Sequence, residues 1–445
     1  MTHRSLPRRA ARLTAGVGVA ALALTGCLGS DENATSADDG STIRVQALAG
    51  PIIEALDVVA RAYEDENPGV TVQLESLSND AARQPNVATL TSSSAPDIGF
   101  TQIDSGVYQT LVEAGDLEPL EDVWNEADLE NRYPEAAQGG VVFNGVPHAV
   151  LFAYTLAPVV LYNAEMFDEL GIQVPEDRDM SVDQFLEIVD ALDDAGVEGL
   201  GVGGNTSYHL HHLAMGLLGG AATDAEMEQY LTNYSPEVDQ TVDYSTGPYM
   251  DVVLTLVEWN EAGVFPNGML SQDYTQAESA FVAGQSGMFL GGSWTPGELT
   301  NDLSVEFEVD WFRAPSTTGQ GNQLQLFSGD MFVIPTGAQN IDEAKSFLEF
   351  AMAPEQQASL VRTGTLLPIV TDVPDDALAE LNPLTASIVE DAATNGSIEM
   401  WGPMLPIEIG QEFGVRQYQS LMAGTTTPEE VARAFDEALA ALRNE

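Results

Sequence analysis

Residues 43–74 read IRVQALAGPIIEALDVVARAYEDENPGVTVQL. Ile43 to Leu48 is a short β-type run. From there the apolar residues fall at Ile52, Leu56, Val59 and Tyr63, the spacing of one helix face. Glu64-Asp-Glu-Asn-Pro-Gly69 ends that helix, because proline removes a backbone donor and glycine turns freely. Val70 to Leu74 alternates again as a strand. Strand, helix and strand in so short a span predict an α/β protein with mostly parallel sheets.

The same alternation continues outward. Pro96-Asp-Ile-Gly-Phe100 reads as the start of a buried strand, Val107–Ala114 as a helix, Val159–Tyr162 as a strand, and Ala164–Leu170 as a helix ending at Gly171. Ser181 with Gln184 three residues on marks a helix start that should run to about Ala195. Asn340–Met352 and Thr427–Leu442 are amphipathic, the second with Thr427 as cap and Pro428 at its first position. There are no internal repeats and no long internal linker. About 400 ordered residues suggest two domains.

The N-terminus follows a separate logic. Arg4, Arg8, Arg9 and Arg12 precede an uncharged apolar run, Leu13 to Leu24, too short for a bilayer span of about 20 residues. It fits the apolar region of a secretory signal. Leu24-Thr-Gly-Cys27 follows and resembles the lipobox of bacterial lipoproteins, which implies cleavage after Gly26 and lipid attachment to Cys27. Cys27 is the only cysteine, so an internal disulfide or a Cys-rich metal site is excluded. Residues 27–41, rich in Ser, Asp, Asn, Gly and Ala, read as a flexible tether, with the folded part from Thr42.

The charge is extreme. The first 26 residues hold four of the 15 Lys and Arg and none of the 69 acids, so the remainder carries 11 bases against 69 acids, a net charge of −58. Lys345 is its single lysine. Nucleic acid and anionic membrane surfaces are excluded as partners, since both need clustered bases. Such a surface repels itself at low salt and is screened at about 1 M, where the Debye length is about 3 Å, which points to salty surroundings.

Several segments, in order, are similar to the extracellular solute-binding proteins of bacterial ABC importers, the carbohydrate-binding group that includes maltose-binding protein. They are Tyr63–Val70; Ala95–Ile98 with Gly115–Leu120; Gly145-Val-Pro147 with Leu161-Tyr-Asn163 and Met166-Phe167; Phe281–Met288 with Gly291-Gly-Ser-Trp294; Gly329–Pro335; and Gly424–Glu430. Gln285-Ser286 depart from the group's usual Lys-Ala, and Gln184-Phe185 stand where many relatives carry a tryptophan.

The resemblance implies a two-lobed, periplasmic-binding-protein-like α/β fold of the class II type, with a hinge of crossing segments. Residues 42–154 with 327–372 would form lobe one, and 159–325 with 374–445 lobe two. Ligand would bind between them, and a membrane permease would sense closure. The expected partners are a carbohydrate, the permease's transmembrane subunits and, through the lipid, the outer face of the cell membrane. The chain is expected to be a monomer without a cofactor.

Sugar sites combine aromatic faces, which stack on C–H surfaces, with carboxylates and amides that pair hydroxyls. Trp294 follows an apolar strand in a glycine-rich loop and matches the group's stacking tryptophan. Trp401, in Met400-Trp-Gly-Pro403 near the third crossing, is a second stacking candidate. Asp104 falls where relatives place a hydroxyl-binding acid. Tyr154 and Asp330 lie at the first and second crossings. Tyr208 and His209 open a helix leading to Gly219-Gly220, and Glu408 is a further acid candidate. His209 and His212 could share a helix face, but no HExxH motif or nearby acid supports a metal.

The rival readings are a binder of another solute on the same fold, such as a polyol, a polyol phosphate or ferric ion, and a secreted glycoside hydrolase with two carboxylates. A phosphorylated ligand could meet Arg313 or Arg362. A ferric site would need paired tyrosines, and no adjacent Tyr-Tyr occurs. No G-x-S-x-G elbow, P-loop or dinucleotide-binding glycine pattern is present.

Overall fold

The computed structural model describes residues 41–444 apart from 78–86, 103–106, 139, 207, 304, 319–320, 364–365, 401–404 and 407. Cys27 and the apolar lead before it therefore lie outside the described residues, as do Asp104 and Trp401. Among the described residues, no helix is long and apolar enough to cross a membrane.

The opening segment folds as its pattern requires. Strand β1 (Thr42–Leu48) pairs in parallel with β2 (Thr71–Leu77), from Thr42 against Thr71 to Leu48 against Leu77. The helix between them, Pro51–Glu66, buries Ile52, Leu56, Val59 and Tyr63. It ends where Asn67 N–H returns to the Tyr63 carbonyl and Gly69 takes a φ of 100°. Tyr63 then meets Phe347 and Phe350 edge-on at 5.3 and 5.2 Å, which fixes the helix Ile341–Ala351 beside it.

The remaining strands are β3 (Gly99–Gln102), β4 (Val142–Phe143), β5 (Val146–Pro147), β6 (Val150–Ala157), β7 (Val159–Asn163), β8 (Glu198–Gly201), β9 (Ser286–Gly291), β10 (Val309–Arg313), β11 (Leu324–Val333), β12 (Leu367–Pro368) and β13 (Ser397–Glu399). One sheet runs β12-β6-β11-β13, with β3 on the far part of β11, and another runs β10-β7-β9-β8. The expectation of mostly parallel sheets is corrected here. Only β1–β2, β8–β9 and β11–β13 pair in parallel among the described strands, and the other pairings are antiparallel. The reason is connectivity. β6 passes through Pro158 into β7 of the other sheet, and the neighbours that these two strands find, β11 and β9, come from distant parts of the chain and run against them.

Two lobes follow from two main cores. The first joins residues 43–153 to 331–377, and the second joins residues 157–327 to 400–439. A third cluster, including Leu156, Val159, Phe289, Trp311, Leu324, Leu367 and Ile388, lies along the second sheet and the crossings. Strands β6 and β11 each contribute to both sides. Two passages differ from the expected boundaries by a few residues. Phe327 still packs in the second core, and β11 changes sides at the register irregularity between Phe327 and Asp330. Val373 and Ala377 still pack in the first core, so the last passage lies between Ala377 and the helix Pro383–Asn395.

The caps read from sequence are present. Ser181 and Thr427 each form a reciprocal capping box, opening Val182–Asp194 and Pro428–Leu442. Thr223 and Asp273 do the same for Asp224–Thr232 and Tyr274–Val282.

Candidate functional site

The crossing strand β6 organises the site. Leu367 of β12 pairs with Tyr154, and Asp330 of β11 pairs with Ala153. Further along, Leu156 N–H donates to Ser293 Oγ at 3.1 Å, and Ser293 N–H returns to the Leu156 carbonyl at 2.9 Å. The loop after β9 is thereby clamped to the passage between lobes. Ala153 and Leu156 are three residues apart, about 10 Å of strand. Asp330 and the Trp294 loop therefore join β6 on either side of Tyr154 in the chain.

On the tryptophan side, Trp294 is half-buried against the second core. Its ring lies so close over Gly292 that any Cβ there would meet indole carbons at 2.0–2.5 Å. The indole Nε1–H donates to the Tyr274 hydroxyl at 3.0 Å, and that hydroxyl donates to Glu298 at 2.8 Å. Burial, then the neighbouring charges of Glu298 and Glu278, push the Tyr274 phenol well above its ordinary value, so it stays protonated. His212 meets Trp294 edge-on at 6.1 Å and Tyr208 at 4.8 Å. Tyr208 is buried at the N-cap of the helix His209–Ala221, with its ring 6.2 Å from Tyr274.

On the opposite side, Asp330 is buried, and Gln102 Nε2 donates to its Oδ1 at 2.5 Å. Gln102 ends β3, in the row of strand ends where open α/β sheets place ligands. Tyr154 is half-buried between cores, and burial pushes its phenol up. Glu399 belongs to a neighbouring row, in which its partner Leu326 pairs in turn with Leu156. Solvent reaches Glu399, yet the surrounding protein raises its carboxyl above the ordinary range, as a concave wall does.

The structure therefore links Tyr208 to Trp294 through His212, and places Tyr154 and Asp330 on the adjacent crossing strands β6 and β11. His209 requires a correction. It is fully buried, its Nδ1 accepts from Gly203 N–H at 2.8 Å, and its Nε2–H donates to the Leu290 carbonyl at 2.7 Å. No ring nitrogen is left for a ligand, and burial lowers the imidazole to about 4, so it is neutral. Glu408 is exposed in the turn before the helix Gln411–Met422, with no described bond to the tryptophan cluster. Arg313 and Arg362 are also engaged elsewhere. Arg313 is buried and bonded to Asp391 at 2.6 Å and to the Asp177 carbonyl, and Arg362 pairs with Glu380.

Sequence reasoning missed Tyr274, Glu298, Gln102 and Glu399. Only Asp273-Tyr-Thr-Gln276, a capping box, marked the position of Tyr274, and it signals a helix start rather than a neighbour of Trp294.

Comparison with known proteins agrees with this architecture. The chain is 22% identical over 393 residues to an ABC transporter extracellular-binding protein of Pyrococcus horikoshii, covering 86% of this chain and 84% of that one. It is 24% identical over 370 residues to the multiple sugar-binding protein of Streptococcus mutans, covering 83% and 84%. The solved structure of a chitin oligosaccharide binding protein superposes with a TM-score of 0.76 at 19% identity, over 92% of this chain and all of that one. The family model for bacterial extracellular solute-binding proteins matches residues 46–358, the greater part of the chain, and this protein belongs to that family.

Proposed function

We propose that this protein is the substrate-binding component of a bacterial ABC importer and that it captures a carbohydrate between its lobes. The observation that carries the reading is the Trp294 loop. The loop that carries a half-buried indole is clamped to the crossing strand by Ser293 and Leu156, and the buried Gln102–Asp330 pair joins the same strand at Ala153. An aromatic face next to paired polar groups suits a pyranose, which has an apolar C–H face and a rim of hydroxyls. The names of the sugar-binding relative and structural neighbour support the same class. The engagement of Arg313 and Arg362 speaks against a phosphorylated ligand.

The mechanism is non-catalytic. Ligand bridging the lobes binds the closed form better than the open one and shifts the population toward closure, which the permease recognises. Cys27 anchors the protein by lipid to the outer face of the membrane, as Leu24-Thr-Gly-Cys27 suggests, and residues 28–41 are the tether. The acid surface suits a salty medium.

The test is a thermal-shift screen of the chain from Thr42, in ~1 M salt, with sugars, polyols, amino acids and ferric citrate. A shift with a carbohydrate that is lost in Trp294→Ala is the expected result. A shift confined to iron or amino acids would overturn the carbohydrate reading and leave the solute-binding family intact.

A further inference from the structure

The hydrogen bonds around Trp294 admit one consistent arrangement of protons. Thr295 Oγ1 accepts from Gly292 N–H at 3.1 Å, so its own proton is free to go to the Tyr274 oxygen, 3.1 Å away. That oxygen also accepts the Trp294 Nε1–H at 3.0 Å. With two bonds accepted, the Tyr274 hydroxyl directs its one proton to Glu298 Oε2 at 2.8 Å. The chain ends on a carboxylate, which makes its last bond charge-assisted and the strongest of the set.

Three constraints then act on one ring. Gly292 lies beneath it and admits no side chain. His212 lies at its edge. The Tyr274 oxygen holds the nitrogen corner. An indole held at its nitrogen and supported on one face cannot rotate about its outer torsion without breaking the Tyr274 bond.

We infer that Tyr274 is a positioning residue for ligand binding, which takes up the indole N–H and, through Glu298, fixes the plane of Trp294. This rests on the reading of Trp294 as the stacking residue. The consequence is a specificity rule. Trp294 offers a ligand an apolar face and no ring donor, so hydroxyl recognition falls to other groups such as Asp330 and Glu399.

The test uses the chain from Thr42 carrying ¹⁵N-labelled tryptophan. The Nε1–H signal of Trp294 is assigned by its loss in Trp294→Phe. In Tyr274→Phe that proton should exchange with water faster, and affinity should fall about five- to tenfold. The probe is whichever of glucose, maltose, raffinose or chitobiose gives the largest thermal shift. Glu298→Ala should weaken binding similarly, and Glu298→Gln, which keeps an acceptor, should recover most of that loss. If Tyr274→Phe does not fold, the Glu298 pair decides the matter. Loss of binding in Trp294→Ala with Tyr274→Phe unchanged would overturn the positioning role and spare the stacking reading. Weaker binding in Tyr274→Phe with unchanged N–H exchange would overturn it too. Full binding by Trp294→Ala would instead remove the stacking reading on which the role depends.

Discussion

The two sides of the crossing strand β6 are built differently. On the Trp294 side the polar atoms are turned inward: indole to phenol, phenol to carboxylate, hydroxyl to hydroxyl. The half-buried ring itself keeps no free donor. On the Asp330 side the polar groups themselves line the crossing strands, with Gln102 at the end of β3 bonded to Asp330 within β11, near Tyr154. The first side is a rigid apolar platform, and the second is a preorganised polar edge. A sugar needs both, because stacking alone does not distinguish hydroxyl patterns and hydrogen bonds alone gain little in water.

If the platform is a rigid unit, its foundations should matter most. The helix Pro383–Asn395 supports it, since Thr385 donates to the Ser293 carbonyl at 3.2 Å. That helix is tied to β10 by Arg313 and Asp391, both nearly buried, at 2.6 Å. Asp391→Ala leaves a buried guanidinium without its bonded carboxylate, with the Asp177 carbonyl still in place, and should lower unfolding free energy by about 3 kcal/mol, measured by denaturant titration. A loss comparable to that of an exposed pair such as Arg362–Glu380 would show the platform to be loosely founded.

His209 gives the platform a pH dependence of its own. Its ring packs 5.2 Å from Tyr274, and burial lowers its pKa from 6.5 to about 4. A depressed histidine contributes stability that is complete above about pH 6.5 and is lost as pH falls through about 4, because the unfolded chain takes up the proton first. The contribution is on the order of 3 kcal/mol. Comparing the pH dependence of stability in the wild type and His209→Gln should show it, and parallel curves between pH 7 and 4 would refute it.

The polar edge should respond more gently. Asp330→Asn keeps the shape but removes the charge that strengthens the Gln102 bond. It should weaken carbohydrate binding by about tenfold, with stability down by about 1–2 kcal/mol, read by calorimetry and melting. Equal losses for Asp330→Asn and Trp294→Ala would erase the distinction between edge and platform.

The smallest effect expected is that of salt on affinity. A neutral sugar stacked on Trp294 has no ion pair to screen, so Kd should change by less than about twofold between ~0.1 and ~1 M salt. Over the same range the melting temperature should rise, because the acidic surface repels itself less. A strongly salt-dependent Kd would indicate a charged ligand.

Much of this was legible in the sequence because it is local. The opening strand–helix–strand unit and the caps at Ser181 and Thr427 depend on residues within one or two turns of each other. Trp294 could be singled out because Gly291-Gly292-Ser293 marks a turn at a strand end. His209 misled for the same reason: a histidine at a helix start looks available until Gly203 and Leu290 are brought against its ring. The sheet pairing misled because strand–helix alternation says nothing of the crossing strands, which pair antiparallel with partners from distant parts of the chain.

The sequence by itself determined the elements, their order and the charge, since periodicity, capping and composition are written along the chain. It also singled out the tryptophan. Only the tertiary structure decided what holds that tryptophan. Tyr274 and Glu298 lie 20 residues before it and four after it, and nothing in linear spacing aligns a phenol with an indole nitrogen. Likewise, Gln102 and Asp330 are 228 residues apart and meet only because β3 and β11 pair. Directional hydrogen bonds between distant segments require the folded register to exist first, and no local pattern encodes them.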